Sequence, residues 1–307
     1  MSLPTLVLTA GLGTRLRPLT DILAKPALPV AGRPLVARIL RSLAQQGVTD
    51  AVLNLSHLPE TVTACAGDGA EFGLRVRYSW EQPVLGSAGG PRHALPLLSA
   101  PRFVIVNGDT LTDVSIRDVI AAHEASGAAV TMAVVPHPAP GRYGGVRVSD
   151  DGRIESFTGR SDNPDTPLWH YIGVQVVESH VFADLPDNEP AESVGGVYRD
   201  LVKRGMVAAH RSDAAFRDIG RPEDYIDTTL AVAREEGNTS TVVLEDGAMV
   251  DPGAKLDRVI VWSGSRIAAG ARLTNCVVAG GNVPGDAAAE NSCIMPAGNG
   301  PRVVPFP

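Results

Sequence analysis

The sequence predicts an α/β domain over about the first 235 residues, followed by a short β-rich segment that turns at glycines. In the first part, apolar runs of strand length alternate with patterns of helical period. After Gly237 the chain instead alternates apolar and polar residues, and a glycine recurs every six to eleven positions between 247 and 270. This spacing is typical of a parallel β-helix, whose short strands turn corners at small residues, with a plain β-hairpin cap as the alternative.

The first strand and helix can be followed residue by residue. A buried strand at 6–8 runs into a glycine-rich turn, and Pro34 then opens a helix. Apolar residues recur at every fourth position of that helix, at Leu35, Ile39 and Leu43, until a glycine ends it. Further strands are predicted at 51–55, 74–78, 103–106, 130–135 and on either side of a polar loop at 161–167. Further helices are predicted at 116–126, where Ser115 is the cap, and at 197–204 and 222–236.

These patterns divide the chain into three predicted parts. Residues 1–237 form the α/β domain, residues 238–295 the short β-helix, and residues 296–307 a Pro-rich, poorly ordered tail. Gly and Pro supply 32 and 24 of the 307 residues, which indicates many turns and places where a ligand can approach the backbone. The charged fraction of 20% and the apolar fraction of 44% are ordinary for a folded protein.

The charge of the chain argues against a nucleic-acid or membrane partner. Its 27 basic and 34 acidic residues give a net charge of -7, and no long Lys/Arg run occurs. No apolar run approaches the length of a membrane span, and no signal peptide is recognised at the start. Cys65, Cys276 and Cys293 lack metal spacing and are odd in number, which fits a reducing compartment. We therefore expect a cytoplasmic protein with small-molecule substrates.

The segment most suggestive of chemistry is LTAGLGTRLRPLT at 8–20, followed by Lys25 and by PVAGRP at 29–34. It predicts a strand that feeds a flexible glycine loop, whose backbone N–H groups can face an anion. Arg15 adds a planar fork for phosphate oxygens, and Lys25 adds a point charge. Two commoner phosphate motifs do not fit. Leu16 stands where a dinucleotide fingerprint has glycine, and the sequence has no Gly-Lys pair for a P-loop.

This long string resembles the N-terminal signature of the sugar-1-phosphate nucleotidylyltransferases, also called nucleoside-diphosphate-sugar pyrophosphorylases. The resemblance covers most of the chain. It implies a Rossmann-like, three-layer nucleotidyltransferase domain with a mixed, mainly parallel sheet, followed by a short left-handed parallel β-helix. It also implies that Arg15 and Lys25 serve catalysis. The implied nucleotide-binding positions in this segment are Ala10, Gly11, Gly13, Thr14 and Arg15.

Two aspartates resemble the metal ligands of this family. Asp109 follows the strand predicted at 103–106, at the carboxyl end where α/β sheets place their ligands. Asp218 lies within FRDIGRPEDY, where the family carries its second metal aspartate. Alone, either could be a surface charge, and Asp218 could cap the helix that follows it. Together with the signature, the pair implies a shared Mg²⁺, a hard cation that prefers oxygen ligands and substrate phosphates.

LGSAGG at 85–90 is similar to the base-binding loop of the family. Small residues there let a nucleobase lie against backbone groups that can read its edge, although an ordinary turn before a helix has the same composition. Glu81 and Gln82 could hydrogen-bond the base or lie on the surface. The resemblance adds three nucleotide-binding positions, which are Gly86, Ser87 and Gly108.

The sugar side resembles the family less closely. Tyr143 and Gly144 match a sugar-contacting segment, and Glu192 matches another contact loosely. Arg160 stands near the place of a lysine that holds the sugar phosphate, so it either replaces that lysine or is solvated. Tyr171 begins a segment that replaces a frequent Asn-Ala-Gly, so an asparagine contact is lost. These departures leave the sugar open; the implied sugar-phosphate-binding positions are Tyr143, Gly144, Arg160, Tyr171 and Glu192.

The resemblance implies a Mg²⁺-dependent enzyme that converts an NTP and a sugar 1-phosphate to an NDP-sugar and pyrophosphate. The LGSAG segment and the β-helical tail look most like mannose-1-phosphate guanylyltransferases, which use GTP. The alternatives are N-acetylmuramate-1-phosphate uridylyl transfer, glucose-1-phosphate thymidylyl or adenylyl transfer, and a non-catalytic regulator that binds nucleotide-sugars. The retained Arg15, Lys25, Asp109 and Asp218 favour the enzyme. No histidine follows His210, so we expect the tail to be structural or to form a homo-oligomer.

Overall fold

The computed structural model describes residues 3–139, 141–159, 168–298 and 300–306. The chain divides into two compact units, each made of segments that are distant in sequence. Unit 1 comprises the residues up to Gly11 and Ile39–Phe216, and unit 2 comprises Leu12–Arg38 and Arg217–Pro307. Most of the signature therefore belongs to the same unit as the C-terminal strands.

The strands and the α-helices are each numbered in the order in which they occur along the chain. The strands are β1 (Thr5–Leu8), β2 (Pro29–Val30), β3 (Arg33–Pro34), β4 (Asp50–Leu55), β5 (Arg75–Trp80), β6 (Arg102–Asn107), β7 (Thr110–Thr112), β8 (Val130–Pro136), β9 (Gly145–Val148), β10 (Ile154–Thr158), β11 (Trp169–Glu178), β12 (Val207–Arg211), β13 (Phe216–Asp218), β14 (Val242–Leu244), β15 (Met249–Val250), β16 (Lys255–Val261), β17 (Ser265–Ile267), β18 (Arg272–Val278), β19 (Gly281–Val283), β20 (Ala288–Met295) and β21 (Arg302–Pro305). The helices are α1 (Leu35–Gln45), α2 (Pro59–Ala66), α3 (Gly86–Leu98), α4 (Ile116–Ser126), α5 (His180–Ala183), α6 (Tyr198–Lys203) and α7 (Pro222–Glu235).

Unit 1 is built on one mixed sheet. Its strands lie in the order β10-β9-β11-β6-β1-β4-β5, and β8 pairs with both β11 and β12. The stretch β6-β1-β4-β5 is parallel, with Leu6 of β1 in register with Val52 on one side and Ile105 on the other. β11 is antiparallel to β6, β8 and β9. Strands β1, β4 and β6 are mostly apolar and buried, as expected where both faces of a sheet are covered, whereas the edge strand β5 carries exposed residues.

Two helices and a set of aromatic rings complete the core of unit 1. Helix α3 packs on β1, β4 and β5, and helix α4 packs on β8, β11 and β12. Phe182 stands between Phe103 and Tyr198, with ring centroids 6.2 and 6.4 Å away. The fully buried Tyr198 hydroxyl donates to Gln175 Oε1 at 3.1 Å, so its polar atom is satisfied inside the core.

The predicted strands of unit 1 at 6–8, 51–55, 74–78, 103–106 and 130–135 are confirmed. The helix predicted at 116–126 is also confirmed, and Ser115 Oγ accepts the backbone N–H of Asp118 at 3.3 Å as its cap. The prediction of a loop at 85–90 is wrong, because α3 begins at Gly86. Glycine is needed there for close packing, since a Cβ on Gly89 would lie 2.4 Å from the Glu189 carbonyl.

The C-terminal strands of unit 2 form two parallel ladders. β14, β16, β18 and β20 form one ladder, and β15, β17 and β19 form the other. Along the first ladder Val242, Val259, Cys276 and Ser292 are in register, so the strands repeat after sixteen or seventeen residues. Apolar side chains from both ladders pack in one buried cluster. Because these pairs are parallel, the segment is not a plain β-hairpin.

One residue in each of the strands β16, β18 and β20 has a left-handed backbone conformation. Arg258, Asn275 and Asn291 have φ values of 54°, 50° and 48°. Asparagine adopts this conformation more readily than most residues. Asn275 Nδ2 donates to Asn291 Oδ1 at 2.8 Å, and Arg258 Nη2 donates to Asn275 Oδ1 at 3.4 Å. These side-chain hydrogen bonds connect neighbouring strands of the first ladder at the residues with left-handed backbone.

The prediction of a poorly ordered tail is wrong at 302–305. These residues form β21, which pairs antiparallel with β20 through Val303–Ile294 and Val304–Cys293. Two adjacent valines supply strand propensity, and Pro305 stands at the end of the strand, where its missing N–H is tolerated. All three cysteines are free, and burial raises the pKa of Cys293 to about 12. Cys293 is therefore a core residue without thiolate character.

Candidate active site

The signature starts at the carboxyl end of β1. Thr9, the first residue after that strand, donates its backbone N–H to Asn54 Oδ1 at 2.6 Å, and its hydroxyl donates to the Asn54 carbonyl. Ala10 is buried and Gly11 is exposed. These two predicted nucleotide-binding residues therefore continue directly from a strand end that is held by hydrogen bonds.

In unit 2 the signature continues through a rigid turn. Gly13 has a φ of +60°, and a Cβ there would lie 2.8 Å from Thr20 Cγ2, so glycine is required. The Thr20 hydroxyl donates to the Gly13 carbonyl at 3.0 Å across the turn. The short 3-10 helix Thr14–Leu16 follows, and Thr14 and Arg15 are exposed on it. This hydrogen-bonded turn therefore presents two predicted nucleotide-binding residues, Thr14 and Arg15, to solvent.

Arg15, Asp218 and Asp224 converge at Gly220, within unit 2. A Cβ built on Gly220 would lie 2.8 Å from Asp218 Oδ2 and 3.1 Å from Asp224 Oδ2. The same point is 3.5 Å from Arg15 Nη1, so Gly220 leaves the space in which these charged groups approach. Asp224 is buried in the first turn of α7. Nothing in the sequence separates it from an ordinary acidic residue at a helix start.

Lys25 is buried at the start of the 3-10 helix Lys25–Ala27. Its Cβ lies 3.4 Å from the point where a Cβ on Gly13 would stand. The stem of Lys25 is therefore packed against the turn that carries Arg15. Within unit 2, Arg15 and Asp218 thus approach each other at Gly220, and Lys25 packs against the turn that carries Arg15. These are three of the four predicted catalytic residues.

Asp109 lies just past β6, in unit 1. The preceding Gly108 donates its backbone N–H to the Leu8 carbonyl at 3.0 Å, and a Cβ on Gly108 would lie 2.5 Å from that oxygen. Glycine therefore lets the end of β6 approach the end of β1. Thr110 Oγ1 donates to Asp109 Oδ1 at 3.1 Å. Burial raises the pKa of Tyr171, and the charge of Asp109 raises it further, so this phenol lies in the field of the carboxylate.

The start of α3 is tied to a buried carboxylate. Glu81 is 4% exposed, its Oε2 accepts the Leu85 backbone N–H at 2.8 Å, and its Oε1 accepts from Asn54 Nδ2 at 2.7 Å. A Cβ on Gly90 would lie 2.5 Å from Glu81 Oε1, so glycine lets the helix close on the carboxylate. Glu81 is therefore buried, and the alternative prediction that it lies on the surface is wrong. It holds the predicted base-binding segment in place, whereas Gln82 is exposed.

Replacing Glu81 by glutamine should destabilise the protein by about 1–3 kcal/mol. Both partners of the side chain, Leu85 N–H and Asn54 Nδ2, are donors. A carboxylate only accepts, whereas glutamine would turn an NH₂ group toward one of these donors. Urea unfolding measures the change, and the exposed Glu155→Gln is the matched control, expected within about 0.5 kcal/mol of wild type. Equal stability of the two variants would contradict the bridging role.

Predicted base and sugar contacts meet at Ser87. Ser87 Oγ donates to Glu192 Oε2 at 2.7 Å and accepts the backbone N–H of Ser193 at 2.9 Å. A Cβ on Gly86 would lie 3.0 Å from Glu192 Oε1 and 2.8 Å from the Ala191 carbonyl. Glu192, a predicted sugar contact, therefore lies against two predicted nucleotide-binding residues of α3.

Tyr143 and Gly144 lie in a cluster of rings in unit 1. The Tyr143 ring centroid is 4.7 Å from that of His170 and 5.7 Å from that of Phe216. His137 Nε2 and His170 Nδ1 both approach the Gly144 carbonyl, at 3.1 and 3.2 Å. Burial lowers the pKa of His170, which favours the neutral imidazole. No motif spacing singles out these two histidines, yet they fix the backbone of a predicted sugar-contacting segment.

Tyr171 carries an unsatisfied polar atom. Its hydroxyl is shielded from solvent and has no hydrogen-bond partner among the residues that the structure describes. Such an atom calls for an explanation, and a bound ligand is one. Arg160, the remaining predicted sugar-phosphate contact, lies outside the described residues.

None of the helices in the described part of the chain has both the length and the apolar composition needed to cross a membrane.

Asp109 belongs to unit 1 and Asp218 to unit 2. Within 3–139, 141–159, 168–298 and 300–306, no group of three or more His, Cys, Asp or Glu side chains could hold a metal ion.

Known proteins share this fold. A crystal structure of HddC from Yersinia pseudotuberculosis superposes with a TM-score of 0.65, covering 75% of this chain and 99% of that chain at 23% identity. At that identity the likeness shows the fold alone. The mixed α/β sheet with its parallel centre is therefore a fold that solved structures already show.

Sequence comparisons identify the family. The family described as nucleotidyl transferase matches residues 4–235. The chain is 30% identical over 259 residues to the mannose-1-phosphate guanylyltransferase of Mycobacterium tuberculosis, covering 81% of this chain and 72% of that protein. It is 46% identical over 110 residues to the N-acetylmuramate alpha-1-phosphate uridylyltransferase of Neisseria meningitidis serogroup B, covering 36% of this chain and 48% of that protein. The chain therefore belongs to the nucleotidyl transferase family, as a sugar-1-phosphate nucleotidyltransferase.

Proposed function

We propose that the enzyme transfers the guanylyl group of GTP to mannose 1-phosphate, giving GDP-mannose and pyrophosphate. The observation that carries this proposal is the similarity to the M. tuberculosis guanylyltransferase, which extends over 81% of the chain. The second candidate is uridylyl transfer to N-acetylmuramate 1-phosphate. It is favoured by the higher identity to the Neisseria enzyme, 46%, although that similarity covers only 36% of the chain.

The chemistry is a substitution at phosphorus. An oxygen of the sugar phosphate attacks the α-phosphorus of the NTP in line, and its new P–O bond forms as the bond between the α-phosphorus and the bridging oxygen breaks. Pyrophosphate leaves with that electron pair. The attacking phosphate is already ionised near neutral pH, so it needs no general base. All reacting groups are anionic, and the protein acts mainly by positioning them and offsetting their charge.

Arg15 and Lys25 supply the fixed positive charge in this proposal. Arg15 offsets the charge of the triphosphate and of the leaving pyrophosphate, and its exposure on a rigid turn supports this role. Lys25 bridges phosphates near the transferring centre, and its burial beside the same turn supports a fixed position. The phosphate-facing backbone in this proposal belongs to Ala10, Gly11, Gly13, Thr14 and Gly108.

Asp109 and Asp218 are the proposed ligands of Mg²⁺. Both supply carboxylate oxygens, the donors that this cation prefers, so the residues fit the ion. Two protein ligands suffice for a cation that usually keeps waters and binds substrate phosphates. When bound, Mg²⁺ would offset negative charge on the α-phosphate. Arg15 Nη1 and Asp218 Oδ2 approach the same point at Gly220, so the chain adds its own positive charge beside Asp218.

Base and sugar are assigned to unit 1. Gly86 and Ser87, at the start of α3, are proposed to contact the nucleobase, supported by the buried bridge through Glu81. The unsatisfied Tyr171 hydroxyl supports a sugar site there. The proposed sugar-phosphate contacts are Tyr143, Gly144, Arg160, Tyr171 and Glu192.

The division of labour along the chain is also a proposal. Residues 1–237 would form the catalytic domain, residues 238–295 a short left-handed parallel β-helix, and residues 296–307 a tail. The two parallel ladders and their regular register support the β-helix. A homo-oligomer through this segment and a cytoplasmic location complete the proposal.

A substrate matrix tests the proposed specificity. Purified enzyme with Mg²⁺ is offered GTP, UTP, dTTP, ATP and CTP against mannose, glucose and N-acetylmuramate 1-phosphates, and pyrophosphate is measured. GTP with mannose 1-phosphate should give the highest kcat/KM. A preference for UTP with N-acetylmuramate 1-phosphate would replace this proposal by the second candidate.

A further inference from the structure

The segment that follows Lys25 is a short hairpin in unit 2. The 3-10 helix Lys25–Ala27 leads directly into β2, and β2 pairs antiparallel with β3 through Pro29–Pro34 and Val30–Arg33. The Leu35 backbone N–H donates to the Leu28 carbonyl at 2.9 Å and closes the base of the hairpin. We call residues 28–35 the β2–β3 hairpin. Any group that fixes it also fixes the exit of the chain from Lys25.

The base of the β2–β3 hairpin is held through α7 by a C-terminal tryptophan. The Tyr225 hydroxyl donates to the Pro29 carbonyl at 2.5 Å and accepts from Trp262 Nε1 at 2.9 Å. The two rings meet edge to face, with centroids 6.5 Å apart. Both side chains are buried, and burial raises the pKa of Tyr225, so its hydroxyl keeps its proton and remains a donor. Pro29 is thus positioned by a two-step relay.

The tip of the β2–β3 hairpin is held directly by the C-terminal strand region, which comprises strands β14 to β21 and the turns between them. Glu245 directly follows β14 and is only 7% exposed. Its Oε1 accepts the Gly32 backbone N–H at 3.1 Å. Arg38 also binds this tip, since its guanidinium donates to the Val30 and Ala31 carbonyls at 2.7 Å. A buried carboxylate is costly in free energy unless it is paired, and the hydrogen bond from the Gly32 N–H together with the charge of Arg38 offsets part of that cost.

We infer that the C-terminal strand region positions the Lys25 segment for catalysis, through Glu245 at the hairpin tip and Trp262 at its base. This inference rests on the proposed role of Lys25 in binding phosphates. Neither residue needs to touch substrate, so both are positioning residues. The strand region, expected from the sequence to be only structural or oligomeric, therefore contributes to the phosphate-binding half of the active site.

A side-chain series at Glu245 separates positioning from stability. Glu245→Ala removes the acceptor, and Glu245→Asp draws it back from Gly32 while keeping the charge. Both should lower kcat for pyrophosphate release about tenfold or more, since small displacements of catalytic groups have effects of this size. Glu245→Gln keeps an oxygen that can accept the Gly32 N–H and should stay within about twofold of wild type. Glu290→Ala, an exposed acidic residue on β20, is the matched control and should leave kcat unchanged.

Hydrogen exchange at the Gly32 amide gives a second readout that does not use activity. Exchange there should be faster in Glu245→Ala and Glu245→Asp than in wild type, and unchanged in Glu245→Gln. If wild type turns over while Glu245→Ala and Glu245→Asp keep wild-type kcat, or if Glu245→Gln is as impaired as they are, the positioning inference fails alone. If wild type releases no pyrophosphate from any substrate pair, the proposed function fails instead, and the catalytic part of the inference with it.

Discussion

Asp109→Asn should lower kcat for pyrophosphate release by about 10²–10³, which corresponds to roughly 2.7–4 kcal/mol of transition-state stabilisation. The substitution removes the negative charge with which Asp109 is proposed to hold Mg²⁺, and it keeps the shape of the side chain. Thr110 Oγ1 can still donate to the remaining amide oxygen as it does to Asp109 Oδ1. The melting temperature should therefore stay within about 2 °C of wild type.

Asp113→Asn is the matched control for this loss. Asp113 is exposed in the same unit, and its Oδ1 accepts the Ala215 backbone N–H at 2.7 Å, a bond that an amide oxygen can keep. Its kcat should equal that of wild type. Turnover of Asp109→Asn within about threefold of wild type at saturating Mg²⁺ would remove Asp109 from the site.

Arg15→Ala should reduce kcat/KM for the NTP by about 10²–10³, because it removes a preorganised charge aimed at the triphosphate. Arg15→Lys should recover only part of this loss, since an ammonium cannot reproduce the planar two-point contact of a guanidinium. Arg15 is exposed on its short helix, so neither variant should lose much stability.

Arg17→Ala tests whether the effect at Arg15 is specific. Arg17 stands two positions away, is exposed, and pairs with Asp21 at 3.3 Å. An exposed pair of this kind contributes little, so this variant should behave as wild type. Full activity of Arg15→Lys would reduce the role of Arg15 to general charge, and full activity of Arg15→Ala would remove it from the mechanism.

The parallel strands around β1 could be predicted because their signal is local. The apolar runs at 6–8 and 103–106 are continuous, the run at 51–55 is interrupted only by Asn54, and all three are too short for helices. The helix α3 could not be predicted in the same way. Glycines in its first turns lower its helix propensity, and the reason for Gly89 lies a hundred residues away, at the Glu189 carbonyl.

The site shows the same division between local and distant signals. The signature is local, and its resemblance to a family names Arg15 and Lys25 without any structure. Glu81 carries no such signal, because its burial depends on Asn54, which only the folded sheet brings to it. The contact between Gly32 and Glu245 joins residues more than two hundred positions apart, and no spacing in the sequence could reveal it.

Nucleotidyl transfer itself is tested most directly by following the α-phosphate. GTP labelled at the α-phosphorus is incubated with enzyme, Mg²⁺ and mannose 1-phosphate, and the products are separated. The label should appear in GDP-mannose, with one pyrophosphate released for each molecule formed and none formed without the sugar phosphate. Label recovered only as GDP or GMP, or pyrophosphate released without sugar phosphate, would show hydrolysis and contradict nucleotidyl transfer to a sugar 1-phosphate.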